Sequence, residues 1–188
     1  MKLTRLFPTM ILVLCIAFGA MAEANPNTRV GTIEMEGTQE AVNEALFESP
    51  RGYQLWIDTD RFAYVEPDEG SDIDSFEPLL PDALDGVGLY INYSSQLGYT
   101  LDMAREDVQK VLVENGFTVS ELDAKPLFPD DIACGFHAIK GDMVVDKYII
   151  AAKDGAFYLS LAYPIEAAEG FGVRLNHMAS SFTLVDAE

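Results

Sequence analysis

The amino-acid sequence predicts an α+β fold in which an antiparallel β-sheet is flanked by helices, an α/β/α sandwich. Near the C-terminus, three segments rich in β-forming residues follow one another with only short Asp- and Gly-containing breaks between them, which is typical of β-hairpins. Two other segments repeat their apolar residues at helical spacing, one in mid-chain and one near the end. Hairpin-grouped strands with segregated helices define the α+β class.

The first half of the chain predicts strands joined by turns. Residues 45–48 and 53–57 flank Ser49-Pro50-Arg51-Gly52, which has the composition of a turn. Residues 62–65 and 89–93 are rich in aromatic and β-branched side chains, so they predict two more strands.

Two helices are predicted by their apolar faces. In the first, Thr100 is a suitable N-cap and Asn115-Gly116 a stop signal, and the apolar positions are Leu101, Ala104, Val108, Val111 and Leu112. The second contains Gly170 and Gly172, which weaken a helix but allow close packing. Its apolar positions are Ala168, Phe171, Leu175, Met178, Ala179 and Phe182.

The three C-terminal β segments predict an antiparallel meander. They are Ile132 to Ile139, Met143 to Ala152 and Ala156 to Tyr163. A last short strand is predicted near Thr183 to Val185, after the second helix.

The N-terminus has the features of a secretory signal peptide. Basic residues come first, a short apolar run follows, and Ala20-Met21-Ala22 forms an A-x-A cleavage site. We expect cleavage after Ala22, export to the periplasm or the extracellular space, and no membrane insertion of the mature chain. Residues 23–188 are then expected to form a single α+β domain with a polar leader at 23–29.

The charge of the chain limits its partners. The formal net charge is −19, and removal of the signal peptide with Lys2 and Arg5 makes it −21. Nucleic acids and anionic membranes would repel such a protein. The acidic residues are spread along the chain, which is typical of a solvated exterior.

Several stretches resemble a known superfamily. "AFYLSLAYPIEAAEGFGVRLNHMASSFTL", residues 156–184, resembles the closing strand, Tyr-Pro corner, helix and Ser-Phe ending of the Mog/PsbP-type α/β/α sandwich superfamily. "SPRGYQLWIDTDRF", residues 49–62, is similar to the opening hairpin of that superfamily. "IEMEGTQEAVNEALFES", residues 33–49, resembles the N-terminal stretch of small exported bacterial proteins of unknown function.

This resemblance implies a binding protein. The superfamily includes a photosystem accessory protein and a Ran-binding factor, whose shared property is binding other proteins. We therefore expect a non-enzymatic binding or accessory protein that acts through a protein surface or a groove, with another envelope or extracellular protein as its partner. The alternatives are a hydrolase using a carboxylate pair in a cleft and a calcium-responsive surface protein.

Aromatic residues of the first half are candidates for a ligand groove. Trp56, Tyr90 and Tyr93 belong to predicted strands, where an aromatic-lined groove would bind a ligand or peptide. Core packing is the simpler explanation for most of these aromatic residues.

The acidic stretch "EPDEGSDIDSFEP", residues 66–78, raises the question of calcium. Asp68, Asp72 and Asp74 are the candidate ligands, but the spacing does not match an EF-hand loop, because Ile73 would occupy the position of the invariant glycine. The simpler interpretation is a solvated loop in the long connection between Val65 and Gly86. Phe76 is expected to anchor that loop on the core.

The remaining reactive side chains do not form a recognisable catalytic set. Cys134 and His137 are three positions apart on a predicted strand, so they should point to opposite faces. His177 is isolated from both. The sequence contains no nucleophile elbow, phosphate loop or zinc-protease motif, and we expect no cofactor.

Overall fold

The computed structural model describes residues 26–80, 86–95, 99–128 and 133–185. It has an α+β fold in which antiparallel sheets are flanked by helices, as the sequence predicts. The strands are β1 Thr28–Met35, β2 Thr38–Ser49, β3 Tyr53–Asp58, β4 Phe62–Val65, β5 Ile73–Pro78, β6 Gly88–Ser95, β7 Thr118–Leu122, β8 Ala133–Lys140, β9 Met143–Ala152, β10 Gly155–Pro164 and β11 Thr183–Leu184. The helices are α1 Leu101–Glu114 and α2 Val173–Ser180. The predicted signal peptide, residues 1–22, lies outside the described residues.

The strands form two antiparallel sheets instead of the one predicted. The smaller sheet has the order β1-β2-β3-β11, and the larger has the order β4-β5-β6-β10-β9-β8-β7. The predicted meander forms the β8-β9-β10 part of the larger sheet. Strands β1, β5 and β7 were not predicted, and β1 already begins at Thr28, inside the expected polar leader.

A two-residue turn joins β1 to β2. Met35 pairs with Thr38, and the residues between them, Glu36 and Gly37, have φ values of 49° and 73°. Two successive positive φ values define the type I′ turn, which favours Asn-Gly or Gly-Gly. Glu36 is the non-glycine residue with positive φ in the described part of the chain.

The larger sheet buries both of its faces, as β10 illustrates. Phe157, Leu159 and Leu161 pack with β3 and α2 in the main apolar core. Ala156 and Tyr158, on the opposite face, pack under α1. Because side chains alternate along a strand, one strand serves both cores.

Helix α1 begins and ends where the sequence predicts. The Thr100 hydroxyl accepts a hydrogen bond from the Met103 amide at 3.3 Å, and Asn115 is the C-cap. Ala104, Val108 and Leu112 are buried against the sheet, whereas Val111 is 54% exposed.

The second predicted helix is only partly α-helical. Residues Ile165–Ala167 form a 3₁₀ turn and Ala168–Gly172 a π turn before α2 begins. A Cβ atom on Gly172 would lie 3.0 Å from the Tyr163 ring, so this glycine allows the close packing that the sequence predicts. Helix α2 contacts β1 and β3 of the smaller sheet and β6 and β10 of the larger one.

The acidic stretch is not simply a solvated loop. Its second half, Ile73–Pro78, is strand β5, which pairs with β4 and β6. Phe76 is fully buried, which confirms that it anchors this segment. The prediction of a loop was wrong because the inward-facing positions of β5 are Asp74 and Phe76, whereas Ile73 is exposed, so the sequence does not show the usual alternation of apolar and polar residues.

Neither helix in the described parts of the chain is long and apolar enough to cross a membrane.

Candidate functional site

The three predicted ligand-binding aromatics do not line a common groove. Trp56 lies on β3, where the Arg29 guanidinium stacks on its ring at 4.2 Å. Tyr93 packs against Phe157 at 4.8 Å between ring centroids, in the main core. Tyr90 is an odd number of residues away on β6 and therefore points to the opposite face of the sheet.

The three predicted calcium ligands do not converge either. No group of three or more acidic, His or Cys side chains with metal-binding geometry occurs among the residues that the structure places. Asp68 and Asp72 are exposed, whereas Asp74 is 0% exposed. A side chain turned into the protein cannot share a cation with two that face water.

Asp74 instead accepts hydrogen bonds from three strands and a turn. The Arg51 guanidinium lies 2.5 Å from its Oδ1 atom, and the Tyr64 hydroxyl donates to the same atom at 3.3 Å. Tyr53 donates to Oδ2 at 2.5 Å and Ser49 at 2.9 Å. Each oxygen is thus occupied by protein donors, so Asp74 ties the β2-β3 hairpin to the larger sheet.

Cys134 and His137 lie on opposite faces of β8, as the alternation predicts. Cys134 is partly buried and packs beside the α1 core, and burial raises the pKa of its thiol. His137 contacts the Asp146 carboxylate at 2.6 Å through Nδ1, and the Tyr163 hydroxyl donates to the same carboxylate. Because His137 lies on the other face of β8 and is paired with Asp146, it is not placed to act as the base for Cys134.

A concave feature lies between the β1-β2 turn and the 3₁₀ and π turns that precede α2. We call it the hairpin groove. Its volume is about 900 Å³, and a smaller cavity of about 230 Å³ adjoins it beside Arg61 and Arg174. One wall is formed by Met35, Glu36, Thr38, Gln39 and Glu40, and the other by residues 165–171.

The hairpin groove has an acidic rim and an apolar component. Glu36, Glu166 and Glu169 line it, are exposed, and have no ion-pair partner among the described residues. Ile165 is 48% exposed, and Phe171 rests on the core by an edge contact with Phe62. The groove thus combines negative charge with apolar surface.

A buried arginine on α2 holds the wall of the groove that contains Glu40. The Arg174 guanidinium lies 2.5 Å from the Asp58 carboxylate and 2.6 Å from that of Glu40. Burial alone lowers the pKa of Arg174, but the bonds to Asp58 and then Glu40 outweigh it and raise that pKa above its ordinary value. Arg174 therefore stays charged and joins α2 to β2 and β3.

A second polar link lies next to Arg174. His177 contacts Oε1 of the buried Glu44 at 2.8 Å, and Arg29 contacts Oε2 at 2.6 Å. Gly31 leaves room for this carboxylate, since a Cβ there would lie 2.4 Å from Glu44. With Arg29 held in place over Trp56, the β1-β2 hairpin is anchored along its length.

Sequence reasoning missed the hairpin groove because it missed β1. The available signal was the run from Ile33 to Val42, in which Ile33 and Val42 are buried and a Glu-Gly pair stands at the turn. Glu-Gly is a poor match to the favoured hairpin dipeptides. A groove made by that turn and a π turn has no local sequence signature.

The comparisons with known proteins identify the fold. No model of a protein family matches the chain, and no curated protein matches it by sequence. Among solved structures, it is similar to the solution structure of cyanobacterial PsbP (CyanoP) from Synechocystis sp. PCC 6803, with a TM-score of 0.51 and 11% sequence identity. The match covers 89% of this chain and 98% of the cyanobacterial chain. The chain therefore has a PsbP-like fold.

Proposed function

We propose that this protein is an exported, non-enzymatic accessory protein of the Mog/PsbP superfamily that binds a basic segment of another exported protein in the hairpin groove. The observation that carries the proposal is Glu36. It occupies a left-handed conformation at the rim of the groove, where Gly or Asn would be less strained. Strained residues cluster at functional sites.

The shape of the hairpin groove suits a peptide segment. Its volume of about 900 Å³ is near the upper end of the usual range for ligand sites, roughly 300 to 1,000 Å³. It lies on the surface between two chain segments, the β1-β2 turn and residues 165–171. Ile165 and Phe171 offer apolar contacts for the side chains of such a segment.

The charge of the groove selects the chemistry of the partner. Glu36, Glu166 and Glu169 face the groove without ion-pair partners in the described chain, and the protein as a whole is strongly acidic. Complementary charge speeds association and excludes partners of the same sign. A segment with Arg or Lys next to apolar residues fits both properties.

The test measures the affinity of a peptide with alternating arginine and leucine by fluorescence anisotropy. We expect E166Q/E169Q to weaken binding by about tenfold, which corresponds to roughly 1.4 kcal/mol. The control is E69Q/E106Q, which removes the same charge from exposed positions outside the hairpin groove. Equal loss in both variants would mean that only net charge attracts the peptide, and the proposal would be wrong.

A second peptide separates charge from shape. Replacing each arginine with citrulline keeps the size of the side chain and removes its charge. The proposal predicts weaker binding of this peptide to the native protein and little further effect of E166Q/E169Q. Binding should also weaken with added salt, because exposed charges are screened.

A further inference from the structure

A second cavity lies on the other face of the larger sheet, under α1. We call it the lysine cavity. Its volume is about 280 Å³. The sheet supplies its floor through Asn92, Ser94, Lys147 and Tyr158, and the opposite side is formed by Tyr99, Asp107, Val108, Val111 and Leu112. It shares no lining residue with the hairpin groove.

Lys147 is the distinctive residue of this cavity. Its side chain is partly buried, and burial lowers the pKa of its ammonium group. The ammonium donates to the Ser160 hydroxyl at 3.0 Å and lies 6.0 Å from the Tyr158 ring. No carboxylate of the described residues lies within 4.0 Å of it.

This arrangement leaves bonding capacity on the ammonium group. An ammonium group has three protons to donate, and a single protein acceptor, Ser160, is observed. A charge that is partly removed from water is more stable when it is paired. A negatively charged ligand would supply both the missing charge and the missing acceptors.

The neighbouring carboxylate does not fill that role. Asp107 lies on α1 at the opposite wall and accepts a hydrogen bond from the Tyr99 hydroxyl at 2.5 Å. Burial and then this bond raise the pKa of Tyr99, so its hydroxyl stays protonated as the donor. Asp107 and Tyr99 thereby form one polar side of the cavity, apart from Lys147.

The remaining wall is apolar. Val108 and Leu112 are buried parts of α1, and Val111 is exposed at the cavity opening. Asn92 and Ser94 add polar atoms on the sheet side. The cavity therefore offers a cationic end at Lys147, an aliphatic wall and a separate polar side that holds Asp107, in a volume slightly below the usual range of ligand pockets.

We propose that the lysine cavity binds a small organic carboxylate with a compact apolar body. The carboxylate pairs with Lys147 beside Ser160, and the apolar body packs against Val108, Val111 and Leu112. The ligand is small because the cavity is about 280 Å³. This site is independent of the hairpin groove and of the function proposed for it.

The test uses benzoate as the probe, with benzamide as its neutral counterpart and acetate as a carboxylate without an apolar body. Calorimetric or NMR titration should show benzoate binding at least about tenfold more tightly than either. Benzoate should shift the side-chain NMR signals of Asn92, Val108 and Val111. If benzoate does not bind, or binds no better than benzamide, the proposal is wrong.

Two variants locate the binding site. K147M should lose benzoate binding, whereas K153M, which removes the same charge from an exposed turn, should retain it. V111E places a negative charge on an exposed position at the opening of the cavity and should also abolish benzoate binding. This variant tests the site even if K147M does not fold. Retained binding in V111E, or in a folded K147M, would overturn the proposal.

The same titration keeps this proposal separate from the first one. E166Q/E169Q alters the hairpin groove alone, so benzoate should bind it as tightly as the native protein. If E166Q/E169Q lost benzoate binding, benzoate would bind in the hairpin groove and not in the lysine cavity, which would contradict the inference.

Discussion

Replacing Asp74 with Ala should destabilise the protein strongly. The substitution removes the acceptor of four side chains, of which Tyr53 is fully buried and Arg51 keeps 23% of its side-chain surface exposed. The Tyr53 hydroxyl loses its partner out of reach of water. The Arg51 guanidinium can turn partly into solvent.

The size of the loss in stability depends on how far Tyr53 and Arg51 are buried. Leaving a buried hydroxyl unpaired costs about 1–3 kcal/mol. Breaking a fully buried ion pair costs about 3–5 kcal/mol, but the exposure of Arg51 reduces that contribution. We expect a loss of about 2–4 kcal/mol in the free energy of unfolding, equivalent to a fall of roughly 5–15 °C in Tm.

Urea denaturation and thermal unfolding of D74A measure this loss, and D72A is the matched control. Asp72 is two residues away, carries the same charge and is exposed, so D72A should change the free energy of unfolding by no more than about 0.5 kcal/mol. Equal stability of D74A and D72A would refute the structural role of Asp74. A rise in the Tm of the native protein in millimolar calcium that is lost in D74A would instead support calcium binding.

Three further predictions concern stability. E36N should raise the free energy of unfolding by about 0.5–1 kcal/mol in urea, because Asn tolerates positive φ; lower stability would show that Glu36 is unstrained. R174M should lower the free energy of unfolding by about 3 kcal/mol, because Asp58 stays buried without its partner. An unchanged midpoint of urea unfolding would contradict this role of Arg174. Burial, then the bond to Asp74, raises the pKa of Tyr53. The free energy of unfolding should therefore stay constant up to about pH 10 and fall above it, because the tyrosine of the unfolded chain ionises first. The fall should be less steep in Y53F, and Tm values measured across this pH range would show it.

The elements with a strong local pattern could be predicted from the sequence. Helix α1 has a capping residue, an apolar face and a stop signal, and all three appear in the structure. Strands β8, β9 and β10 are long and separated by tight turns, so their boundaries agree with the prediction to within one residue.

The missed elements are those whose pattern is mixed with charge. Strand β1 presents buried Ile33 between exposed polar neighbours, and β5 presents Asp74 and Phe76 to the interior. From the sequence, Asp74 is expected at the surface, because its partners Arg51 and Tyr53 are more than twenty positions away. Such long-range pairing has no local signature.

The candidate sites depend even more on tertiary structure. Trp56, Tyr90 and Tyr93 were grouped by their chemistry, but the alternation of β6 and the separate sheet of β3 keep them apart. Lys147 has no unusual sequence context. Its partial burial beside α1 and its hydrogen bond to Ser160 on the neighbouring strand arise from the tertiary structure.

The most direct test of the central claim is to map the bound arginine-leucine peptide by NMR. If the peptide binds in the hairpin groove, amide shift changes will be concentrated in its two walls, residues 35–40 and 165–171, and will be lost in E166Q/E169Q. Shift changes spread over the acidic surface, or centred elsewhere and unchanged in that variant, would contradict it.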